Sequence, residues 1–220
     1  MTTRASPLLC VAGLARGVGK TRIAASLVRI ARAEGGLPAV VKPVEVGCPY
    51  DEKQDLRGPD GERLREARGH PMPPLVASPY RFATDASPTE AAARAGLDLS
   101  LTMLLDAVEA ARGFGDVTVV ELPGAAASPL VEDDSGLELA ARLDAPVLVV
   151  DDGRSAAALD ALAAAAERAG AHVVGRVAIG DGAPSASRLA AWARLEPGAD
   201  DATIDRVLSE ARIWARCFGG

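Results

Sequence analysis

Apolar residues along this chain fall in short continuous runs, separated by stretches with helical spacing. Residues 7–12 (PLLCVA), 38–44 (PAVVKPV), 117–121 (VTVVE), 146–150 (PVLVV) and 172–179 (HVVGRVAI) read as strands. Runs without polar alternation belong to strands covered on both faces. Residues 21–34 read as a helix, with Ile23, Leu27 and Ile30 at helical spacing and Gly35-Gly36 as its stop. Ser87-Pro88-Thr89-Glu90 has helix-start chemistry: a hydroxyl cap, proline at the first position, then a carboxylate. Residues 99–112, 137–143 and the alanine-rich 156–169 read as further helices. Residues 185–193 and 202–216 are expected to close the chain as helices, with Trp192 and Trp214 as packing residues. Residues 45–79 are rich in Pro, Gly and charge. That is long for a connection, so a functional loop is expected, with a short helix around 61–68.

Strands alternating with helices predict an α/β fold: three layers, a parallel sheet with helices on both faces, in a single domain over residues 1–220. In such sheets ligands bind beyond the carboxyl ends of the strands. Lys20, Lys42 and Glu121 all fall at or just past such ends.

Composition narrows the picture little. Aromatics are 3% of 220 residues, so Ala, Val and Leu must build the core. A net charge of -6 argues against non-specific nucleic-acid binding. Cys10, Cys48 and Cys217 are far apart and odd in number, which predicts reduced thiols rather than a disulfide framework or a metal site. No signal peptide and no membrane-spanning run are read, so a cytoplasmic protein is expected. His70 and His172 have no partner pattern.

Charge type is more informative. Of 24 Lys and Arg residues, only Lys20, Lys42 and Lys53 are lysine. A lysine kept in an arginine-writing chain suggests chemistry that guanidinium performs poorly: a compact charge between phosphate oxygens, or a proton that can leave. Lys53 lies in a charged stretch and reads as solvated surface. Lys20 ends Gly13-Leu14-Ala15-Arg16-Gly17-Val18-Gly19-Lys20 and is followed by Thr21. A strand, a glycine-rich turn closing in Gly-Lys-Thr and a helix make a phosphate cradle: backbone N–H groups face the anion, Lys reaches the terminal phosphates, and Thr supplies an oxygen to Mg²⁺. Five residues separate Gly13 from Gly19 where the common loop has four. The alternative is a glycine-rich turn with no ligand.

The five-residue spacing, taken with the segments that follow, resembles dethiobiotin synthetase, a phosphate-loop NTPase family. That family's loop, Gly-Thr-Asp-Thr-x-Val-Gly-Lys-Thr, matches at Gly13 and Val18 to Thr21 and departs at Leu14-Ala15-Arg16. Its Lys-Pro-Val segment is present as Lys42-Pro43-Val44, with Gly47 also matching. Ser78-Pro79-Tyr80-Arg81-Phe82, Ser87-Pro88, Val120-Glu121-Leu122-Pro123-Gly124 and the 146–150 strand resemble further family segments in the same order. The resemblance covers about residues 8–180.

The resemblance implies ATP- and Mg²⁺-dependent carboxylation and ring closure of the diamine 7,8-diaminopelargonate with CO₂, by a homodimer. Gly17, Val18, Gly19, Lys20, Thr21 and Arg22, with Asp60, Glu121 and Gly124, would bind the nucleotide. Thr21, Asp60 and Glu121 would hold Mg²⁺. Lys42 and Lys20 would be catalytic, and Arg16, Lys42, Val46, Gly124 and Arg154 would meet substrate. Each has a bland alternative: Lys42 as an exposed strand-end lysine, Asp60 as a solvated loop carboxylate like Asp51 and Asp55, Arg154 as a surface residue. Glu121 ends an otherwise apolar strand, where a charge is unexpected.

The chain departs from the family where substrate tail and base are read. Val46 replaces a substrate-contacting Ser, Ile179 replaces an adenine-reading Asn, and the chain contains no Asn at all. Residues 151–157 replace an Asn-His loop that in the family reaches substrate across the homodimer interface. Two other readings therefore stand beside the first: an ATP-dependent carboxylase or amide ligase for another amine or acid, and a nucleotide-gated protein without catalysis.

Overall fold

The computed structural model describes residues 6–153, 155–180 and 187–218. The first half of the chain runs β1 (Leu8–Gly13), α1 (Lys20–Ala33), β2 (Pro38–Val41), β3 (Val44–Val46), α2 (Pro59–Arg68), α3 (Pro74–Ala77), β4 (Tyr80–Phe82), α4 (Pro88–Arg94) and α5 (Leu101–Arg112). It continues with β5 (Val117–Glu121), β6 (Pro129–Val131), β7 (Asp134–Ser135), α6 (Gly136–Arg142), β8 (Val147–Asp151) and α7 (Ala156–Ala169). Last come β9 (Val173–Ile179), β10 (Ala191–Leu195), α8 (Asp201–Glu210) and α9 (Ile213–Phe218).

Six strands form one sheet in the order β10-β9-β8-β1-β5-β2, and every neighbouring pair is parallel. The reason is visible in burial. Every residue of β1, β5 and β8 is buried, so both faces of these strands must be covered by helices. Leu9, Ile23, Leu27, Val119 and Leu148 are fully buried in this core. Each such large apolar side chain stabilises the fold by about 1.5–3 kcal/mol relative to exposure.

Register decides what meets at the top of the sheet. Val11 of β1 lies opposite Glu121 of β5, and Val41 of β2 opposite Val120. Lys42, one residue past β2, therefore arrives beside Glu121, one residue past Val120. The glycine loop leaves β1 at the same level.

Several sequence expectations are corrected. The expected strand 38–44 ends at Val41. Lys42 N donates to Ala77 O over 2.8 Å instead of to β5, and Pro43 has no N–H to give. Residues 44–46 then pair with β4 in a separate parallel two-stranded sheet. The expected helix 185–193 is replaced, where described, by edge strand β10. Ala193 and Leu195 are buried while Trp192 and Arg194 are only partly buried, a strand alternation. Trp192 is thus a strand residue, and its indole covers Gly175: a Cβ there would lie 2.3 Å from the ring. The expected helix 202–216 is two helices, broken at Arg212, whose φ is 54°.

The Ser87 cap forms as expected, and three further serine caps accompany it. Ser87, Ser100 and Ser155 each accept from a backbone N–H in the first turn of the next helix, and Ser135 with Glu138 forms a reciprocal capping box.

Candidate active site

The glycine loop turns because its glycines can. Gly17 and Gly19 have φ of 72° and 102°, which side chains rarely adopt. Gly19 is the N-cap of α1 and has no side chain to satisfy that helix terminus. A helix N-terminus built this way presents N–H groups and a positive dipole end to an anion. The loop is also close-packed. A Cβ on Gly13 would lie 2.8 Å from the Lys20 and Val18 side chains, and one on Gly19 2.7 Å from Ile179.

Lys20 is buried and folds back over the loop, donating to Gly124 O over 2.7 Å. Burial pulls its ammonium below the usual lysine range, against the attraction of Glu121. Gly124 has φ of 63° and sits in the turn after β5, so its carbonyl and the glycine loop face each other.

Beneath the loop lies a compact polar cluster. Thr21 Oγ1 donates to Glu121 Oε1 over 2.9 Å, and Lys42 Nζ donates to the same oxygen over 3.1 Å. Lys42 Nζ also donates to Asp60 Oδ2. Burial draws the Lys42 ammonium down, but Glu121 and Asp60 outweigh it and hold Lys42 above the usual lysine range. Burial pushes the Glu121 carboxyl up, partly offset by Lys42 and Thr21. Glu121 Oε2 is buried and has no hydrogen-bond partner. An orphaned carboxylate oxygen is costly unless a cation or donor completes it.

This cluster floors a cavity of about 610 Å³. Arg16, Gly17, Gly19, Lys20, Thr21, Arg22, Lys42, Val46, Asp60, Glu121 and Gly124 all line it. Val18 instead packs against the core and the face of Gly13. The structure so brings together residues from four separate stretches of chain. Arg154 lies outside the described residues. At the mouth, Arg16 pairs with Asp85 over 2.6 Å, both largely exposed. Arg22 donates to Ala199 O and lies near Asp201, which also pairs with Arg29 and with Arg63 of the cavity wall. The C-terminal helix α8, silent in the sequence, therefore reaches the site through Asp201.

A profile of the AAA domain family matches residues 8–212. The chain is 41% identical over 143 residues to the ATP-dependent dethiobiotin synthetase BioD of Anaeromyxobacter dehalogenans (strain 2CP-C), covering 64% of this chain and 61% of that protein. The corresponding protein of Methylobacterium nodulans is 35% identical over 162 residues, covering 71% of this chain and 72% of its own. This chain belongs to the dethiobiotin synthetase family. The matched stretch spans 61% of the length of the Anaeromyxobacter relative. A solved structure, the signal recognition particle receptor FtsY from Elizabethkingia anophelis, overlays with a TM-score of 0.41 at 18% identity over 81% of this chain and 51% of that one.

The cavity has a polar floor and mixed walls. Val46 and Ala86 bring apolar surface to the cavity, Arg16 brings charge, and Ile179 packs on Gly19. Two further residues escaped the sequence reading: Glu45 and Ser78, buried beneath Asp60. Their signal was present as a carboxylate flanked by two valines in 44–46, which is out of place in a buried strand. Among the described residues no helix is long and apolar enough to cross a membrane.

Proposed function

We propose that this chain is an ATP-dependent dethiobiotin synthetase that carboxylates 7,8-diaminopelargonate and closes its cyclic urea. The observation that carries the reading is Lys42, buried on the cavity floor between Asp60 and Glu121 and below the glycine loop. An ordinary strand-end lysine would be solvated; this one is held as an ammonium where substrate and phosphate would meet.

Mg²⁺ fits the floor. Thr21, Asp60 and Glu121 offer hard oxygens, and Glu121 Oε2 is a buried oxygen without a partner. Few protein oxygens plus phosphates and waters is the usual Mg²⁺ arrangement. The ion would neutralise phosphate charge and fix the terminal phosphate in line.

The chemistry assigns work to this chain's own groups. One substrate amine captures CO₂ as a carbamate and releases a proton. Lys42 holds that anion against the cavity floor. The carbamate oxygen displaces ADP from the terminal phosphoryl group of ATP, while Lys20 and the loop N–H groups carry the developing charge. The second amine attacks the carbonyl carbon, expels phosphate and closes the ring. Positioning and electrostatics supply the acceleration; no covalent enzyme intermediate is needed.

The test is phosphate release from ATP, Mg²⁺ and bicarbonate, with and without the diamine, beside Lys42→Ala. Diamine-dependent release that vanishes in the variant supports the synthetase. Diamine-independent release points to the second reading, a ligase for another acceptor, which Val46 and the guanidinium of Arg16 on the cavity wall favour. The substrate tail site would be completed across a homodimer, which sedimentation or light scattering of the purified protein would detect.

A further inference from the structure

We infer that Glu45 is a positioning residue for the metal half of this site, acting through Asp60. The inference rests on the reading of Asp60 as a Mg²⁺ ligand.

Glu45 is on β3, and only 4% of its surface is exposed. Its carboxylate accepts Asp60 N over 2.7 Å and Gly61 N over 3.2 Å, and Ser78 Oγ donates to it over 3.0 Å. The first two donors are unsatisfied first-turn groups of α2, a helix whose N-cap Gly58 has no side chain to offer. A side chain from another strand thus takes over the capping task, and its charge opposes the positive end of the helix dipole. Packing leaves no slack. A Cβ on Gly58 would lie 2.5 Å from Glu45 Oε2, and one on Gly61 2.6 Å from Ser78 Cβ.

Asp60 is the second residue of α2, so the carboxylate that grips its backbone fixes where its side chain starts. From there Asp60 reaches Lys42. The other end of that pair is anchored to the same place: Lys42 N donates to Ala77 O, next to Ser78. Glu45 and Ser78 therefore join the two backbones whose side chains meet on the cavity floor. Glu45 touches no cavity surface itself. Removing its charge leaves every candidate ligand in place and loosens one of them.

Partners behind a metal ligand commonly cost 10–100-fold in metal affinity when lost. The probe is Mn²⁺, titrated into the nucleotide-free protein and read by loss of its free EPR signal. ATP binding is measured separately in EDTA. The variants are Glu45→Gln, Ser78→Ala, Asp60→Asn and the double variant Glu45→Gln/Asp60→Asn. Expected is Mn²⁺ affinity lowered about tenfold in Glu45→Gln, with EDTA-state ATP affinity unchanged. The double variant should bind Mn²⁺ no more weakly than Asp60→Asn alone. Ser78→Ala, which removes one bond and no charge, should give a smaller loss in the same direction and serves if Glu45→Gln does not fold. Asp60→Asn weakening Mn²⁺ while Glu45→Gln and Ser78→Ala do not would overturn the positioning role and leave the metal reading standing. Asp60→Asn without effect would sink the metal reading, and the role of Glu45 with it.

Discussion

Lys42 Nζ and Glu121 Oε1 lie 3.1 Å apart at the carboxyl ends of β2 and β5, although 79 residues separate them along the chain. The parallel register of the two strands makes the contact, and Asp60 closes it from the other side. Three charges so placed have few tolerated replacements. Lys42→Ala is expected to abolish diamine-dependent phosphate release by at least about a hundredfold, the loss typical for one preorganised charge in a water-poor site. Lys42→Arg should not rescue it, because a larger planar guanidinium spreads the charge that the ammonium concentrates at one point. Steady-state phosphate release decides both.

Burying Lys20 costs stability. Its folded-state pKa lies below the ordinary 10.5, mainly through burial. The folded protein therefore binds that proton less well than the unfolded chain does. The penalty is fully present below the folded value, shrinks as pH rises and is gone above 10.5. Lys20→Met is expected to raise the melting temperature of the nucleotide-free protein at pH 7, with a smaller gap at pH 10. The same variant should lose the stabilisation that ATP gives the parent. Thermal unfolding with and without ATP at both pH values would show it.

Gly19→Ala should damage the site and the fold together. A φ of 102° is strained for any side chain, at about 1–3 kcal/mol, and the new Cβ meets Ile179. Ile179→Ala in the Gly19→Ala background should relieve the contact but not the strain. Nucleotide affinity and urea unfolding midpoints of the single and double variants separate the two effects.

Gly175 exists to receive Trp192. A methyl there would stand 2.3 Å from the indole ring, between two adjacent strands. Gly175→Ala is expected to cost about 1–3 kcal/mol by overpacking. Because β10 is an edge strand, amide exchange should rise there before it rises in β1 or β5.

Asp151 and Arg176 form an ion pair with 0% and 2% side-chain exposure, at 2.9 Å. Asp151→Ala should destabilise by about 3–5 kcal/mol, since it strips the carboxylate from a buried guanidinium. Denaturant unfolding measures the loss, and an unchanged midpoint would contradict it.

What the sequence determined by itself was local. Continuous apolar runs such as 117–121 and 146–150 demand cover on both faces, and cover on both faces means a parallel sheet between helices. Ser87 and Ser155 start helices because a hydroxyl satisfies a nearby N–H whatever lies elsewhere. The order Gly13 to Thr21 on a strand–turn–helix carries the phosphate loop by the same local logic. Tertiary structure decided which distant residues meet. Glu45 caps a helix that begins 14 residues later, Asp201 gathers arginines from α1 and α2, and Trp192 joins the sheet edge rather than a helix because Gly175 opens a seat for it. Residue type and spacing encode the backbone's nearest choices. Strand register and helix packing set distances across tens of residues, and those distances make the floor of the cavity.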